Sequence, residues 1–92
     1  MTAHIGIVAC SAEGAALCYR TICAEARTLM GEHDHLEITL HAPPFAAYME
    51  PINRDDWRAV GELMLASAEL LRTAGADSLT TLRFQRSIRR AY

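Results

Sequence analysis

The residue types best suited to chemistry stand together in the run Cys10-Ser11-Ala12-Glu13-Gly14, between a predicted strand and a predicted helix. A helix N-terminus offers backbone N–H groups and a partial positive charge, which together bind carboxylates and phosphates. Ser11 could add a hydroxyl donor to such an anion, or it could serve only as the cap of the helix. The run matches neither G-x-G-x-x-G nor the P-loop, so it does not predict nucleotide binding.

Cys10 and His41 each end a predicted strand. A thiol beside a helix N-terminus can become a reactive thiolate, whereas most reduced cysteines behave as small buried hydrophobes. His41 could hydrogen-bond a substrate carboxylate, or it could be a structural histidine. His33 and His35 flank Asp34 in a predicted solvated turn, and the three cysteines include no C-x-x-C pair. These spacings predict neither a metal site nor a disulfide framework.

Three apolar segments predict the strands that must position these side chains. Residues 5–10 form a short β-branched run typical of a buried parallel strand. Residues 36–41 alternate with period two, and the prolines at 43 and 44 must end that strand. A third strand is predicted over residues 76–82.

Apolar residues at helical spacing predict two long helices between the strands. The first carries its stripe over residues 15–30 and stops at Gly31, and the second runs from an N-cap at Asn53 to a stop at Gly75. Residues 45–52 are predicted to form a loop or a short helical turn, and residues 87–92 the start of a further helix.

The resulting order, β-α-β-α-β, predicts an α/β fold with a parallel sheet between two layers of helices. Ligands of such folds bind beyond the carboxyl ends of the strands. Residues 10–14, residues 41–44 and the segment after the third strand are therefore the predicted site.

The 92 residues are 51% hydrophobic and 22% charged, as expected of one small globular domain. All nine basic residues are arginines, and four of them fall within residues 80–92, an atypical Arg-rich tail. No nucleic-acid-binding motif accompanies that tail, so we expect no nucleic-acid partner. With neither a signal peptide nor an apolar run long enough to span a membrane, we expect a cytoplasmic protein without a membrane partner.

The segment from Ile5 to Tyr19 resembles the first strand, substrate loop and first helix of the aspartate/glutamate racemase family. Ser11, Glu13 and Tyr19 match the family's Gly-Gly-Met-Ser-x-Glu loop and the tyrosine that follows it, while Ala9-Cys10 stands where the paired glycine usually sits. The run Leu40-His41-Ala42-Pro43-Pro44-Phe45 is similar to the family's second-strand end. Residues 56–77, which end in Gly-Ala-Asp, are similar to its long second helix and exit into strand three.

This resemblance covers residues 4 to 79 and implies racemisation of an amino acid without a cofactor. In the family one thiolate removes the α-proton and a second thiol returns a proton on the opposite face. The first cysteine follows strand three in a Cys-Asn-Thr type of turn, and the second comes from a second, pseudo-symmetric domain. Here no cysteine follows Asp77. We therefore expect a single partial domain over residues 1–92, a βαβαβ parallel three-layer half-domain that is truncated or frame-shifted after about residue 79.

The predicted function is that of an aspartate/glutamate racemase-like isomerase, incomplete and impaired in activity. Its predicted substrate is a small amino acid or dicarboxylate, bound by Ser11, Glu13, His41, Ala42 and Pro43. No catalytic cysteine is assigned, Cys10 is a candidate thiol, and neither cofactor nor metal is expected. A homodimer is one expected assembly.

Two other functions stay open. The chain could be a non-catalytic α/β module that binds an anionic metabolite or a partner chain. It could also be a related enzyme of the same superfamily, such as a hydantoin racemase, a maleate isomerase or a decarboxylase, because the fold does not choose among them.

Overall fold

The computed structural model describes residues 3–80, which form three strands and three helices. In chain order these are β1 (His4–Val8), α1 (Ala12–Met30), β2 (Glu37–His41), α2 (Phe45–Asn53), α3 (Trp57–Thr73) and β3 (Ser78–Thr80). Within this part of the chain, no helix has both the length and the apolar character that crossing a lipid bilayer requires.

The three strands make one parallel sheet in the order β2-β1-β3, with the first strand in the middle. Ile5 lies opposite Ile38 of β2 and Ser78 of β3, and Val8 lies opposite His41. The predicted α/β class and the parallel sheet are thus confirmed. Parallel strands need crossover connections, which α1 provides between β1 and β2, and α2 with α3 provide from β2 across β1 to β3.

Alternate residues of β1 pack against different helices. Ile7 and Ala9 cluster with Ala15 of α1 on one face of the sheet. Val8 clusters with Leu71 of α3, and Cys10 packs with α2 and α3, on the other face. Since successive side chains of a strand point to opposite faces, the sheet is the middle layer of three.

The segment predicted as a loop or a short helical turn forms the nine-residue helix α2. Tyr48 and Ile52 lie four positions apart and are 0% and 7% exposed, so one face of the helix is buried. That face packs with Val60 of α3 and with Cys10. The helix is stabilised by this tertiary burial. The local sequence, a short segment that contains Pro51, does not by itself predict a helix of this length.

The predicted N-cap at Asn53 is wrong, because Asn53 is the last residue of α2. Asp56 caps α3 instead, and its Oδ1 accepts a hydrogen bond from the backbone N–H of Ala59 at 3.1 Å. Asp55 between them has φ 57°, a left-handed conformation that aspartate tolerates better than most residues. A stretch rich in Asn and Asp offers several possible N-caps for α3, and the position at which α2 ends determines which of them is used.

The other boundaries differ from prediction by a few residues. α1 begins at Ala12, so Glu13 lies in its first turn and not in a loop. β1 ends at Val8, two residues before the predicted end, although the N–H of Ala9 still donates to the carbonyl of His41 at 3.0 Å. The helix stops at Gly31 and Gly75 are confirmed, with φ 121° and 103°. Residues 81–82 of the predicted third strand, the predicted last helix and nearly all of the Arg-rich tail lie outside the described residues.

Candidate functional site

The carboxyl ends of β1 and β2 are neighbours. Val8 pairs with His41, and the N–H of Ala9 donates to the His41 carbonyl at 3.0 Å. Residues 10 and 11 therefore leave the sheet beside residues 41–43, as the sequence predicted. We call this region, formed by residues 10–14 and 41–44, the carboxyl edge.

Ser11 caps α1 at this edge. Its Oγ accepts a hydrogen bond from the backbone N–H of Gly14 at 3.1 Å, with the extended φ and ψ usual for an N-cap. Glu13 is exposed in the first turn, where its negative charge lies near the positive end of the helix dipole. Ser11 is thus occupied as a cap, and its contact with a substrate stays a prediction.

His41 is partly buried and is held by a residue that the sequence analysis missed. Its Nδ1 lies 2.7 Å from the Oγ of Ser67, a serine of α3 that is 1% exposed. One feature of the sequence could have indicated this residue: Ser67 lies on the apolar stripe of a helix, four residues before the buried Leu71. Such a hydroxyl needs a hydrogen-bond partner because its burial without one is costly.

Cys10 is buried beneath α2, in contact with an apolar cluster. It is 9% exposed and packs with Tyr48, Ile52 and Val60. Burial, and secondly the negative charge of an ionised Cys10, raise the pKa of Tyr48. The thiol thus faces the packed interior between the sheet and α2, an environment typical of a small buried hydrophobe.

The two remaining cysteines lie in α1 and not at the carboxyl edge. Cys18 packs against the Ile7 cluster, on the opposite face of the sheet from Cys10, and burial raises the pKa of its thiol. Cys23 is partly buried one turn further along the helix. The described residues therefore bring no two thiols to opposite sides of one small ligand.

Ala42 and Pro43 connect β2 to α2. Ala42 is exposed and Pro43 is partly buried. The N-cap of α2 is Pro44, which makes no side-chain capping hydrogen bond. Their backbone thus lies along the carboxyl edge, next to the beginnings of two helices, which are favourable positions for an anion.

The opposite edge of the sheet carries a second polar cluster, which the sequence analysis missed. The Nε2 of His4 lies 2.6 Å from the Oγ1 of Thr39, and the N–H of His4 donates to the carboxylate of Asp77 at 3.2 and 3.3 Å. The N–H of Asp77 donates in return to the His4 carbonyl at 2.9 Å. This cluster joins the start of β1 to the middle of β2 and to the residue just before β3, so it links all three strands.

His33 and His35 lie in the exposed connection that enters β2 from this opposite edge. The Nδ1 of His35 donates to the carbonyl of Leu36 at 2.6 Å. Residues 3–80 hold no group of three or more His, Cys, Asp or Glu side chains placed to bind a metal ion.

No protein-family model and no curated protein matches this chain. The resemblance to the racemase family accordingly stays a prediction carried by the residues named above.

Proposed function

We propose that this chain is the amino-terminal, substrate-binding half of a cofactor-independent amino-acid racemase of the aspartate/glutamate type. In this proposal it binds an acidic amino acid or a related dicarboxylate at the carboxyl edge. Racemisation by the chain alone is impaired. The observation that carries the proposal is the pairing of Val8 with His41, which places the loop of Ser11 beside residues 41–43.

The carboxyl edge offers donors suited to a carboxylate. Two helices, α1 and α2, begin there. The N–H of Gly14 already donates to the Ser11 Oγ and that of Ala47 to the Pro44 carbonyl, so the N–H groups left for a carboxylate are those of the first two residues of each helix. Each helix adds a partial positive charge at its start. The imidazole of His41 adds a further hydrogen-bonding group beside these N–H groups.

The impairment follows from the positions of the thiols. Proton removal and return at one α-carbon require an acid and a base within hydrogen-bond reach on opposite faces of that carbon. Cys10 is the one cysteine near the edge, and it packs beneath α2 with Tyr48. Cys18 and Cys23 lie in α1, away from the edge, so the described residues do not bring two thiols to one α-carbon.

A ligand titration tests the binding part of the proposal. The ¹⁵N-labelled chain is titrated with L-aspartate, D-aspartate, L-glutamate and succinate, with L-alanine and L-lysine as controls. Shifts of the Ser11–Gly14 and His41–Ala42 amide signals, caused by the acidic ligands alone, are expected. Shifts spread over the surface, or equal shifts with L-lysine, contradict the proposal.

Proton exchange in D₂O tests the impairment. With aspartate or glutamate as substrate, we expect no α-deuterium incorporation above the rate without protein. Robust exchange by the purified chain refutes the impairment.

A second candidate, a non-catalytic module that binds an anionic metabolite, is favoured by the burial of Cys10. The two candidates differ in the ligands that one site must accept. A racemase half has to bind both enantiomers of its amino acid, so equal shifts of the same amide signals with L- and D-aspartate favour it. Shifts with succinate, and with one enantiomer at most, favour the binding module.

A further inference from the structure

Ser67 is a polar residue in an otherwise apolar position. It is 1% exposed, and its neighbours along the buried stripe of α3 are Met64, Ala68 and Leu71. An alanine would fill this helical position with a better helix former and without a polar group to satisfy. The hydroxyl is therefore best explained by its contact with His41, whose Nδ1 lies 2.7 Å away.

The direction of this hydrogen bond follows from which acceptors are present. Within residues 3–80 the Ser67 hydroxyl makes no hydrogen bond besides that to His41. If Nδ1 carried the proton and donated it, the hydroxyl hydrogen would be left in the interior without an acceptor. An unsatisfied buried donor costs more than a made hydrogen bond gains. The favoured arrangement has the Ser67 O–H donating to an unprotonated Nδ1.

We propose that Ser67 is a positioning residue that holds neutral His41 in its Nε2–H tautomer. The proton of the neutral ring then sits on Nε2, because a neutral imidazole carries one N–H. Nε2 makes no hydrogen bond to another group in residues 3–80 and is the ring nitrogen left for a ligand. His41 thus offers a hydrogen-bond donor at the carboxyl edge and is unsuited, in this form, to act as a base through Nε2.

This assignment has a consequence for specificity that rests on the proposed function. An N–H donor beside two helix starts recognises a carboxylate oxygen, whereas an unprotonated nitrogen would repel it. Ser67, although it does not touch the ligand, favours the side-chain or α-carboxylate of an acidic amino acid through His41.

Histidine ¹⁵N NMR tests the tautomer without any ligand. Long-range ¹H–¹⁵N spectra are recorded at about pH 8, where imidazole is largely neutral. His41 is assigned from a His41→Gln variant. Its Nδ1 should resonate as an unprotonated nitrogen and its Nε2 as a protonated one. The other histidines are internal references: His35 should show the reverse pattern, because its Nδ1 donates to a carbonyl, and exposed His33 an average of both.

Variants separate a positioning role from a merely structural one. In Ser67→Ala the His41 nitrogens should move towards the averaged pattern of His33. In Ser67→Thr, which keeps the hydroxyl, they should stay near wild type. Ser78→Ala removes an exposed serine of β3 and should leave His41 unchanged. A wild-type His41 protonated on Nδ1, or a Ser67→Ala spectrum identical to wild type, overturns the proposal. The wild-type spectrum decides even if a variant fails to fold.

Affinity for L-aspartate tests the consequence. Ser67→Ala should weaken binding roughly 2- to 12-fold, as expected for one neutral hydrogen bond. In a His41→Ala background the same change should have no further effect. If the wild type and Ser67→Ala bind L-aspartate with equal affinity, the link between Ser67 and specificity is overturned. If the wild type binds no acidic ligand, the proposed function fails while the tautomer spectra still decide the role of Ser67.

Discussion

Replacing Gly6 with alanine tests the packing of the central strand against α3 and β3. A Cβ at this position would lie 2.9 Å from Cδ2 of Leu79, 3.0 Å from Cβ of Ala76 and 3.1 Å from Cβ of Leu71. The Leu79 side chain is 49% exposed and can rotate away. The other two atoms are attached directly to the backbone of buried residues, so relief requires β1 or the end of α3 to move.

The expected loss of stability follows from these contacts. Overpacking of a close-packed core costs about 1–3 kcal/mol. Replacing a glycine reduces the entropy of the unfolded chain, which returns about 0.4–1 kcal/mol where the new residue fits the backbone. The net destabilisation lies between about 0 and 2.6 kcal/mol with a central value of about 1.3 kcal/mol, or a fall in Tm of roughly 5–10 °C for a domain of this size.

Gly61→Ala is the matched control, since it makes the same chemical change where no atom lies within 4 Å of the new Cβ. Gly61 is inside α3, where alanine is favoured over glycine by roughly 0.5–1 kcal/mol. Urea unfolding followed by far-UV circular dichroism should show opposite signs for the two variants. A Gly6→Ala chain as stable as wild type, or a shift of both variants in the same direction, refutes the packing described for β1.

Three other predictions concern a helix cap, an ionisation and a buried thiol. Asp56→Ala removes the acceptor for the N–H of Ala59 and should lower the free energy of unfolding by about 1 kcal/mol in urea titrations; no change would show that α3 is capped otherwise. Because burial, then the charge of Cys10, raise the pKa of Tyr48 above its ordinary 10.0, the folded state holds that proton more tightly than the unfolded state. This stabilisation is complete below about pH 10 and is lost as the pH rises through the folded-state pKa. The free energy of unfolding of Tyr48→Phe should therefore fall less steeply with rising pH above about pH 10 than that of the wild type; equal slopes for the two proteins would contradict the raised pKa. Iodoacetamide should alkylate Cys10 at least about tenfold more slowly in the native chain than in urea, as peptide mapping measures, because the residue is buried, with 9% of its surface exposed; equal rates would show that α2 does not cover it.

The parts of the fold that were predictable are those with a strong local signal. The β-branched run around Ile7 and the apolar stripe of α1 are each a pattern within a single element, so each can be recognised without knowledge of the rest of the fold. The glycines at 31 and 75 adopt positive φ, which few other residues do as readily. The full length of α2, beyond a short helical turn, was not predicted because Tyr48 and Ile52 gain their burial from Val60 and Cys10, which lie outside the segment.

The same distinction applies to the candidate site. Parallel topology alone brings Ser11 and His41 to one edge, so their proximity was predictable. The partner of His41 was not, because Ser67 lies 26 positions away and a serine in a helix has no required partner in the local sequence. The cluster of His4, Thr39 and Asp77 was missed for the same reason, since its members come from three different parts of the chain.

The position of β1 between β2 and β3 has a consequence for synthesis on the ribosome. Of the three strands, β1 is translated first, and its second neighbour in the sheet, β3, is translated last. The paired residues His4 and Asp77 are 73 positions apart. At about 5–20 residues per second, roughly 4–15 s pass before that neighbour exists. For this time the nascent chain carries the apolar strand Ile5-Gly6-Ile7-Val8 with an open backbone edge, a template for pairing with other chains. Codon changes that slow translation between the β2 and β3 segments should therefore increase the insoluble fraction of the newly made protein.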